Sequence, residues 1–217
     1  MPAILCYGDS NTWGYDAGAT AAAARPMRHA REVRWTGVAA QALGPDWEII
    51  CEGQNGRTTV HDDPLAVACR NGRKHLPVVL ESHKPLDAVV LMLGTNDLKG
   101  YLNLSPQEVA AGAALLVRII QQSDAGPGAM APRVLLVCPP LVGDFAQVPD
   151  LAAKFPGAAM KSHALSLHFA AVASQLSVPL LCAGDFVTPS PLDGLHLDAA
   201  SHAALGSAIA DRLRLMI

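Results

Sequence analysis

The 217-residue chain has few charged and few aromatic side chains, and its apolar runs are short. Charged residues make up 16% of the sequence and aromatic residues 5%, whereas soluble domains average about 25% charged residues. The net charge of −3 argues against a broad nucleic-acid interface. A membrane span needs about 20 consecutive apolar residues. We therefore expect neither nucleic acid nor a membrane as a partner.

The cysteines follow none of the usual binding patterns. There are five of them, an odd number, with no Cys-x-x-Cys pair, which disfavours a disulfide framework or a zinc site. The sequence also lacks a Walker A loop and a Gly-x-Gly-x-x-Gly run, and it does not open with the basic and apolar segments of a signal peptide. These absences predict a cytoplasmic protein with reduced thiols, no metal and no cofactor.

Five short apolar runs are present, at residues 3–7, 47–51, 88–93, 134–138 and 178–182. Most are continuous rather than alternating, which is typical of parallel strands buried on both faces. Helical patterns separate them. Alternating strands and helices predict an α/β fold, here one domain over residues 1–217. We expect a three-layer sandwich, in which a five-stranded, mostly parallel sheet carries helices on both faces.

The helix signals are strongest in four places. Residues 33–43 precede the stop signal Gly44-Pro45, and a capping box from Ser105 to Glu108 predicts a helix that continues to residue 122. Residues 158–176 and a segment capped by Asp198 predict two more. Residues 16–31 and 139–156 are expected to be long irregular loops. Because they flank the strand ends, they are candidates for the walls of a pocket.

Small and polar residues follow four of the predicted strands. Ser10 follows the first strand, Gly53 to Gly56 the second, Asn96 the third, and Asp193 and His196 the fifth. Ligands in open α/β sheets bind outside the carboxyl ends of the strands. We therefore expect these distant residues to meet at one edge of the sheet.

Together these residues can perform nucleophilic catalysis. A serine hydroxyl needs a base to take its proton and a third group to orient that base, which predicts Ser10 as nucleophile, His196 as base and Asp193 as orienting acid. The backbone N–H groups of Ser10 and Gly56 and the side-chain amide of Asn96 are the candidate oxyanion donors. Each cluster alone is also a common turn, and the Gly-x-Ser-x-Gly nucleophile elbow is not met.

The chain resembles the SGNH (GDSL-type) hydrolases. Gly8-Asp9-Ser10 matches their first block, Gly94-Thr95-Asn96-Asp97 the third, and Asp193-Gly194-Leu195-His196 the last. The resemblance implies their flavodoxin-like fold and the same roles for these residues. The second block is less regular, so Gly56 is chosen for the backbone donor with Gly53 as the alternative. Asn11 stands where leucine is usual.

The similarity is greater still to the bacterial arylesterase/acyltransferase branch, typified by the mycobacterial acyltransferase. It rests on residues 5–14, 34–38, 56–59 with 62–64, and 92–97 with Lys99. This resemblance implies hydrolysis of short-chain acyl esters, acetyl and aryl esters among them, with transfer of the acyl group to alcohols or peroxide as a second outcome. It also implies a homo-oligomer, a tetramer or an octamer.

Several residues next to the motifs are candidates for the substrate pocket: Asp9, Asn11, Trp13, Tyr15, Thr95, Lys99 and Leu195. Simple packing is an equal alternative for the two aromatic side chains, and an exposed position is an equal alternative for the lysine. His61-Asp62-Asp63 is interpreted as a polar loop rather than a metal cluster.

Two other functions remain open from the sequence. One is a carbohydrate O-deacetylase or thioesterase of the same family. The other is a non-catalytic flavodoxin-like module that binds a ligand.

Overall fold

Five parallel strands in the order β2-β1-β3-β4-β5 form the central sheet. The structure is a computed structural model that describes residues 1–23, 25–143, 145 and 148–217. The predicted α/β fold class is confirmed. The strands are β1 (Ala3–Gly8), β2 (Glu48–Gly53), β3 (Ala88–Met92), β4 (Arg133–Cys138) and β5 (Leu180–Cys182).

Helices cover both faces of this sheet, which gives three layers. Helices α3 and α8 pack on one face, while α4, α5 and α7 pack on the other. The helices of the described residues are α1 (Ser10–Trp13), α2 (Ala17–Ala23), α3 (Trp35–Leu43), α4 (Gly72–His83), α5 (Pro106–Gln121), α6 (Pro149–Lys154), α7 (Ala158–Leu176) and α8 (Ala199–Met216).

Strand β1 shows why the strands are continuously apolar. Leu5 and Tyr7 belong to the core shared with α4, α5 and α7, while Ile4 and Cys6 belong to the core shared with α3 and α8. Successive side chains of a strand point to opposite faces. Because both faces are covered by helices, every position of this strand is buried.

The predicted elements differ from the structure mainly at their ends. The second strand occupies Glu48–Gly53 rather than 47–51, and the fifth begins at Leu180 rather than 178. The helix predicted over residues 158–176 is confirmed. Both predicted caps are present, since the Asp198 side chain accepts from Ser201 N and the Ser105–Glu108 capping box is complete.

Four helices were not expected from the sequence, and the shortest of them is α1, the single turn that follows β1. Helix α4 contains Pro77 and buries Leu76 and Leu80 but few other apolar side chains, so its helical pattern is weak. Helices α2 and α6 lie inside the stretches 16–31 and 139–156, and the prediction that these are irregular throughout is wrong. Residues 24, 144, 146 and 147 of those stretches lie outside the described residues.

The five cysteines are free thiols. Cys6 and Cys138 are buried in strands, Cys51 and Cys182 are half-buried, and Cys69 is exposed. In the described part of the chain, no helix combines the length and apolar character that crossing a membrane requires.

Helices α3 and α8 approach each other closely at Gly206. A Cβ atom at this position would lie 2.6 Å from the backbone oxygen of Trp35 and 2.7 Å from Cβ of Val38. Neither of these atoms is the flexible end of a side chain. Only glycine therefore allows this crossing, and with it the burial of Trp35 between α8 and the sheet.

We predict that Gly206→Ala lowers the free energy of unfolding by about 1–3 kcal/mol, because the added methyl group overpacks the helix contact. The same substitution at Gly18 in α2 is the matched control. A Cβ there would be 3.5 Å from its nearest neighbour, so the higher helix propensity of alanine should stabilise the protein by up to about 1 kcal/mol. Urea unfolding measures both changes. Equal changes in the two variants would contradict the close contact at Gly206.

Candidate active site

Ser10, His196 and Asp193 form a hydrogen-bonded chain at the carboxyl edge of the sheet. Ser10 begins α1 directly after β1, and its Oγ donates to Nε2 of His196 over 3.0 Å. Nδ1 of His196 donates in turn to Oδ2 of Asp193 over 2.6 Å. All three residues are buried. The structure thus brings together three residues that the sequence places at opposite ends of the chain.

Asp193 is held ionised by the turn that it starts. Its Oδ1 accepts from the backbone N–H groups of Leu195, over 3.0 Å, and of His196, over 2.9 Å. Burial acts to raise the pKa of Asp193, but the bonds from the His196 side chain and these two backbone groups outweigh it and leave the pKa below its ordinary value. A charged carboxylate therefore faces Nδ1, which fixes the imidazole with its proton on that nitrogen.

Tyr15 covers the imidazole of His196. The two rings are stacked, with 3.9 Å between their centroids and an angle of 22° between their planes. The backbone N–H of Tyr15 donates to the carbonyl oxygen of Ser10 over 3.0 Å. The ring is thus fixed to the same turn as the serine, and it restricts the tilt of the histidine.

Asn11 joins the serine turn to the histidine turn. Its Oδ1 accepts from Leu197 N over 3.0 Å, and its Nδ2 donates to the carbonyl oxygen of Leu195 over 3.3 Å. The residue is only 2% exposed. These backbone bonds occupy both ends of the amide, and they flank His196 on either side along the chain.

The loop after β2 is tied to the end of β1 by Arg57. This buried guanidinium donates to the carbonyl oxygens of Gly8, over 2.8 Å, and of Glu52. Gly53 is still in the strand, where a Cβ would lie 2.1 Å from Trp13 N. Gly56, by contrast, lies in the turn that follows and lines an open cleft.

Asp97 connects this loop to the turn after β3. It is fully buried and accepts from Thr59 N, over 2.9 Å, from Thr59 Oγ1, over 2.6 Å, and from Nδ1 of His61, over 3.0 Å. The hydrogen bond to Asp97 raises the pKa of His61. The neighbouring Asn96 is buried as well, at 6% exposure.

A cleft of about 770 Å³ adjoins Gly56, and α6 forms its far side. Lys99 lies in its wall. The lysine side chain is only 2% exposed and pairs with Oδ2 of Asp63 over 2.7 Å. Tyr101 donates to the same carboxylate over 2.9 Å. Burial lowers the pKa of Lys99, although the hydrogen bond to Asp63 acts in the opposite direction. The alternative that Lys99 is an exposed surface lysine is therefore wrong.

The other predicted pocket residues lie close to the serine and histidine turns. Asp9 caps α1 by accepting from Asn11 N, and burial raises its pKa to about 6. Thr95 is buried, and its hydroxyl has no partner within the described part of the chain. Leu195 is buried between the acid and the base. Trp13 is half-buried beneath the guanidinium of Arg28, 5.1 Å from its ring centre.

Two other histidines, His202 and His61, make structural contacts. Nδ1 of His202 accepts from Trp35 N over 3.2 Å, and burial lowers the pKa of His202 to about 3. His61 bonds to Asp97 instead of gathering with Asp62 and Asp63. Across the described residues, no three His, Cys, Asp or Glu side chains are grouped as a metal ion would require.

Sequence reasoning assigned no role to Arg57, Asp97 or Asp63. All three lie inside stretches that carry the family resemblance, and that position is the one feature of the sequence that could have indicated a role for them. Their contacts, however, join positions 36 to 49 residues apart. Local patterns cannot reveal such partners.

The geometry can support acyl transfer through the serine. A hydroxyl that donates to an imidazole, itself oriented by a carboxylate, can lose its proton as it attacks a carbonyl carbon. The side-chain amide of Asn96, in the turn after β3, is a candidate donor to the oxygen that becomes negative. The arrangement is therefore suited to ester cleavage.

Comparison with known proteins also indicates ester cleavage. Residues 6–204 match the GDSL-like lipase/acylhydrolase family. Est24, a carbohydrate acetylesterase from Sinorhizobium meliloti, is 39% identical with a TM-score of 0.94, and the M. smegmatis aryl esterase is 40% identical with a TM-score of 0.92. Both alignments cover 100% of this chain and 100% of the other.

More distant structures share the fold. The lipase/acylhydrolase from Enterococcus faecalis is 20% identical over 99% of this chain and 96% of its own, with a TM-score of 0.66. No curated protein sequence matches the chain. With a family match that spans nearly the whole sequence, the chain belongs to the GDSL-like lipase/acylhydrolase family and is an ester hydrolase.

Proposed function

We propose that the protein is a serine esterase that cleaves short-chain acyl esters, acetyl esters of aromatic alcohols among them, through an acyl-enzyme. The observation that carries this proposal is the hydrogen-bonded chain from Ser10 Oγ through His196 to Asp193, at 3.0 and 2.6 Å. The names of the M. smegmatis and S. meliloti relatives, an aryl esterase and a carbohydrate acetylesterase, support the choice of acyl and alcohol groups.

The reaction proceeds in two halves. Ser10 Oγ attacks the ester carbonyl carbon while Nε2 of His196 takes the hydroxyl proton, and Asp193 stabilises the imidazolium that forms. The C–O bond to the alcohol then breaks, and His196 gives the proton to the departing oxygen. Water repeats the sequence on the acyl-enzyme, with His196 again as base, and releases the acid and free Ser10.

Three groups stabilise the oxyanion in this mechanism. They are the backbone N–H of Ser10, the backbone N–H of Gly56 and the side-chain amide of Asn96, each from a loop that follows a different strand. A donor of this kind typically contributes about 3–4 kcal/mol to transition-state stabilisation. Gly56 is preferred over Gly53 because Gly53 packs against the backbone of Trp13.

The same acyl-enzyme can react with an alcohol or with peroxide instead of water. Which acceptor reacts depends on the access of water to the serine.

The second candidate substrate class is a carbohydrate acetate, which the name of Est24 favours. Cleavage of an aryl acetate and cleavage of a carbohydrate acetate use the same catalytic residues, and they differ in the alcohol group that occupies the site.

We predict that Ser10→Ala lowers kcat on p-nitrophenyl acetate by roughly 10⁴-fold or more, because the nucleophile is lost. The variant should also lose labelling by a serine-directed fluorophosphonate. Ser166→Ala is the matched control, since this serine is exposed on α7. Full activity in the Ser10 variant would refute the proposed mechanism.

We further propose that Asn11 is a positioning residue and predict that Asn11→Leu lowers kcat by roughly 10- to 100-fold with little change in KM. Loss of the bonds to Leu195 and Leu197 would let the histidine turn shift, and a shift of about 1 Å can cost about 100-fold in rate. Steady-state kinetics separate the two parameters. A raised KM with unchanged kcat would instead indicate that Asn11 contacts the substrate.

Assembly into a homo-oligomer, a tetramer or an octamer, is part of this proposal. Leu65 is 74% exposed and Val67 is fully exposed near the cleft, and both are apolar side chains that a subunit contact would cover. Light scattering at micromolar protein concentration should give the mass of four or eight chains. A stable monomer would contradict this expectation.

A further inference from the structure

The cleft beside Gly56 contains an unequal set of charges. Its cations are Arg70, Lys99 and Lys154, and its carboxylates are Asp63 and Asp150. Lys99 is neutralised by Asp63 at 2.7 Å. Neither Lys154 nor Arg70 forms an ion pair with an acidic side chain of the described residues. Lys154 has Asp150 one turn away on α6, where opposite charges offset each other in part, whereas Arg70 is the cation that lies against Gly56.

Arg70 lies close to the proposed oxyanion loop. A Cβ atom built on Gly56 would be 3.5 Å from Nε of Arg70 and 3.8 Å from Nζ of Lys99. Two cationic groups therefore converge on the surface of the residue whose N–H is proposed to bind the ester oxygen. A substrate whose carbonyl oxygen is held at Gly56 would extend past them into the cleft.

The backbone of Arg70 is fixed relative to that loop. Its carbonyl oxygen accepts from Thr58 N over 2.9 Å and from Thr58 Oγ1 over 3.2 Å. Thr58 is two residues from Gly56 and fully buried. The guanidinium is thus carried by an anchored segment, which limits the entropy lost when it binds a ligand.

From these contacts, we infer that Arg70 binds a carboxylate on the alcohol part of the ester, so that the preferred substrates are anionic. A guanidinium matches a carboxylate with two parallel hydrogen bonds. Ala66 and Ala153 in the same cleft are apolar and suit the carbon skeleton that joins the carboxylate to the ester oxygen. This inference rests on the proposed esterase function and adds a substrate class to it.

The effect should appear mainly in substrate binding. The carboxylate is remote from the reacting carbonyl and carries the same charge in the ground state and in the transition state. Such uniform binding lowers KM and leaves kcat nearly unchanged. A hydrogen-bonded charge pair in a partly open cleft should change kcat/KM by about tenfold.

The test compares two acetyl esters, 4-acetoxybenzoate and its methyl ester, which differ in one negative charge. Their ratio of kcat/KM is measured in the native enzyme, in Arg70→Gln and Arg70→Lys, and in the control Arg73→Gln. Arg73 is an exposed arginine at the start of α4. Because the intrinsic reactivity of each ester is the same for every variant, a change in the ratio reports recognition of the charge.

We expect the ratio to fall about tenfold in Arg70→Gln, with most of the change in KM. It should fall less in Arg70→Lys and stay unchanged in Arg73→Gln. Added salt should lower the ratio of the native enzyme, since salt screens charges in an open cleft.

Equal ratios in the native enzyme and in Arg70→Gln would overturn the inference while leaving the esterase proposal intact. An equal fall in Arg70→Gln and Arg73→Gln would overturn it too, because it would indicate long-range attraction instead of a site. Failure of the native enzyme to hydrolyse either ester would count against the esterase proposal itself.

Discussion

The buried carboxylate of Asp97 holds two loops together, and the geometry of the site depends on it. Strands of a parallel sheet end side by side, but the loops that leave them are not bound to one another by the sheet. Asp97 accepts three hydrogen bonds from Thr59 and His61 and so connects the turn that carries Asn96 to the loop that carries Gly56. A carboxylate with no exposure to water must be compensated in this way.

Two further buried polar side chains also join neighbouring loops by hydrogen bonds. Arg57 binds the loop after β2 to the last residue of β1, and Asn11 binds the turn after β1 to the turn that contains His196. Only 16% of the chain is charged, yet charged groups are buried at this edge. Removing any one of them would leave its partner buried and unpaired, which costs more than the hydrogen bond itself contributes. The site is consequently rigid, because buried hydrogen bonds join its loops and breaking any one of them is costly.

Much of this architecture could be predicted from the sequence, for reasons that lie in particular residues. Continuous apolar runs such as residues 88–93 reveal parallel strands, and the rule that ligands bind at strand carboxyl ends places Ser10, Asn96 and His196 at one edge. Helix α4 escaped prediction because Pro77 and its polar neighbours obscure the helical period. The burial of Lys99 and the hydrogen bonds from Asn11 to the histidine turn could not be predicted either, because their partners are distant in the chain.

The spacing of Asp193 and His196 has a consequence for how the active state is reached. The acid and base are three residues apart, so a single turn brings the carboxylate onto the imidazole, and Tyr15 and Asn11 then restrict the ring and its turn further. The serine, in contrast, comes from 186 residues away. Orientation of the base is thus a local event and arrival of the nucleophile a global one. During refolding, recovery of fluorophosphonate labelling would report the docking of the turn after the first strand against the turn that carries His196.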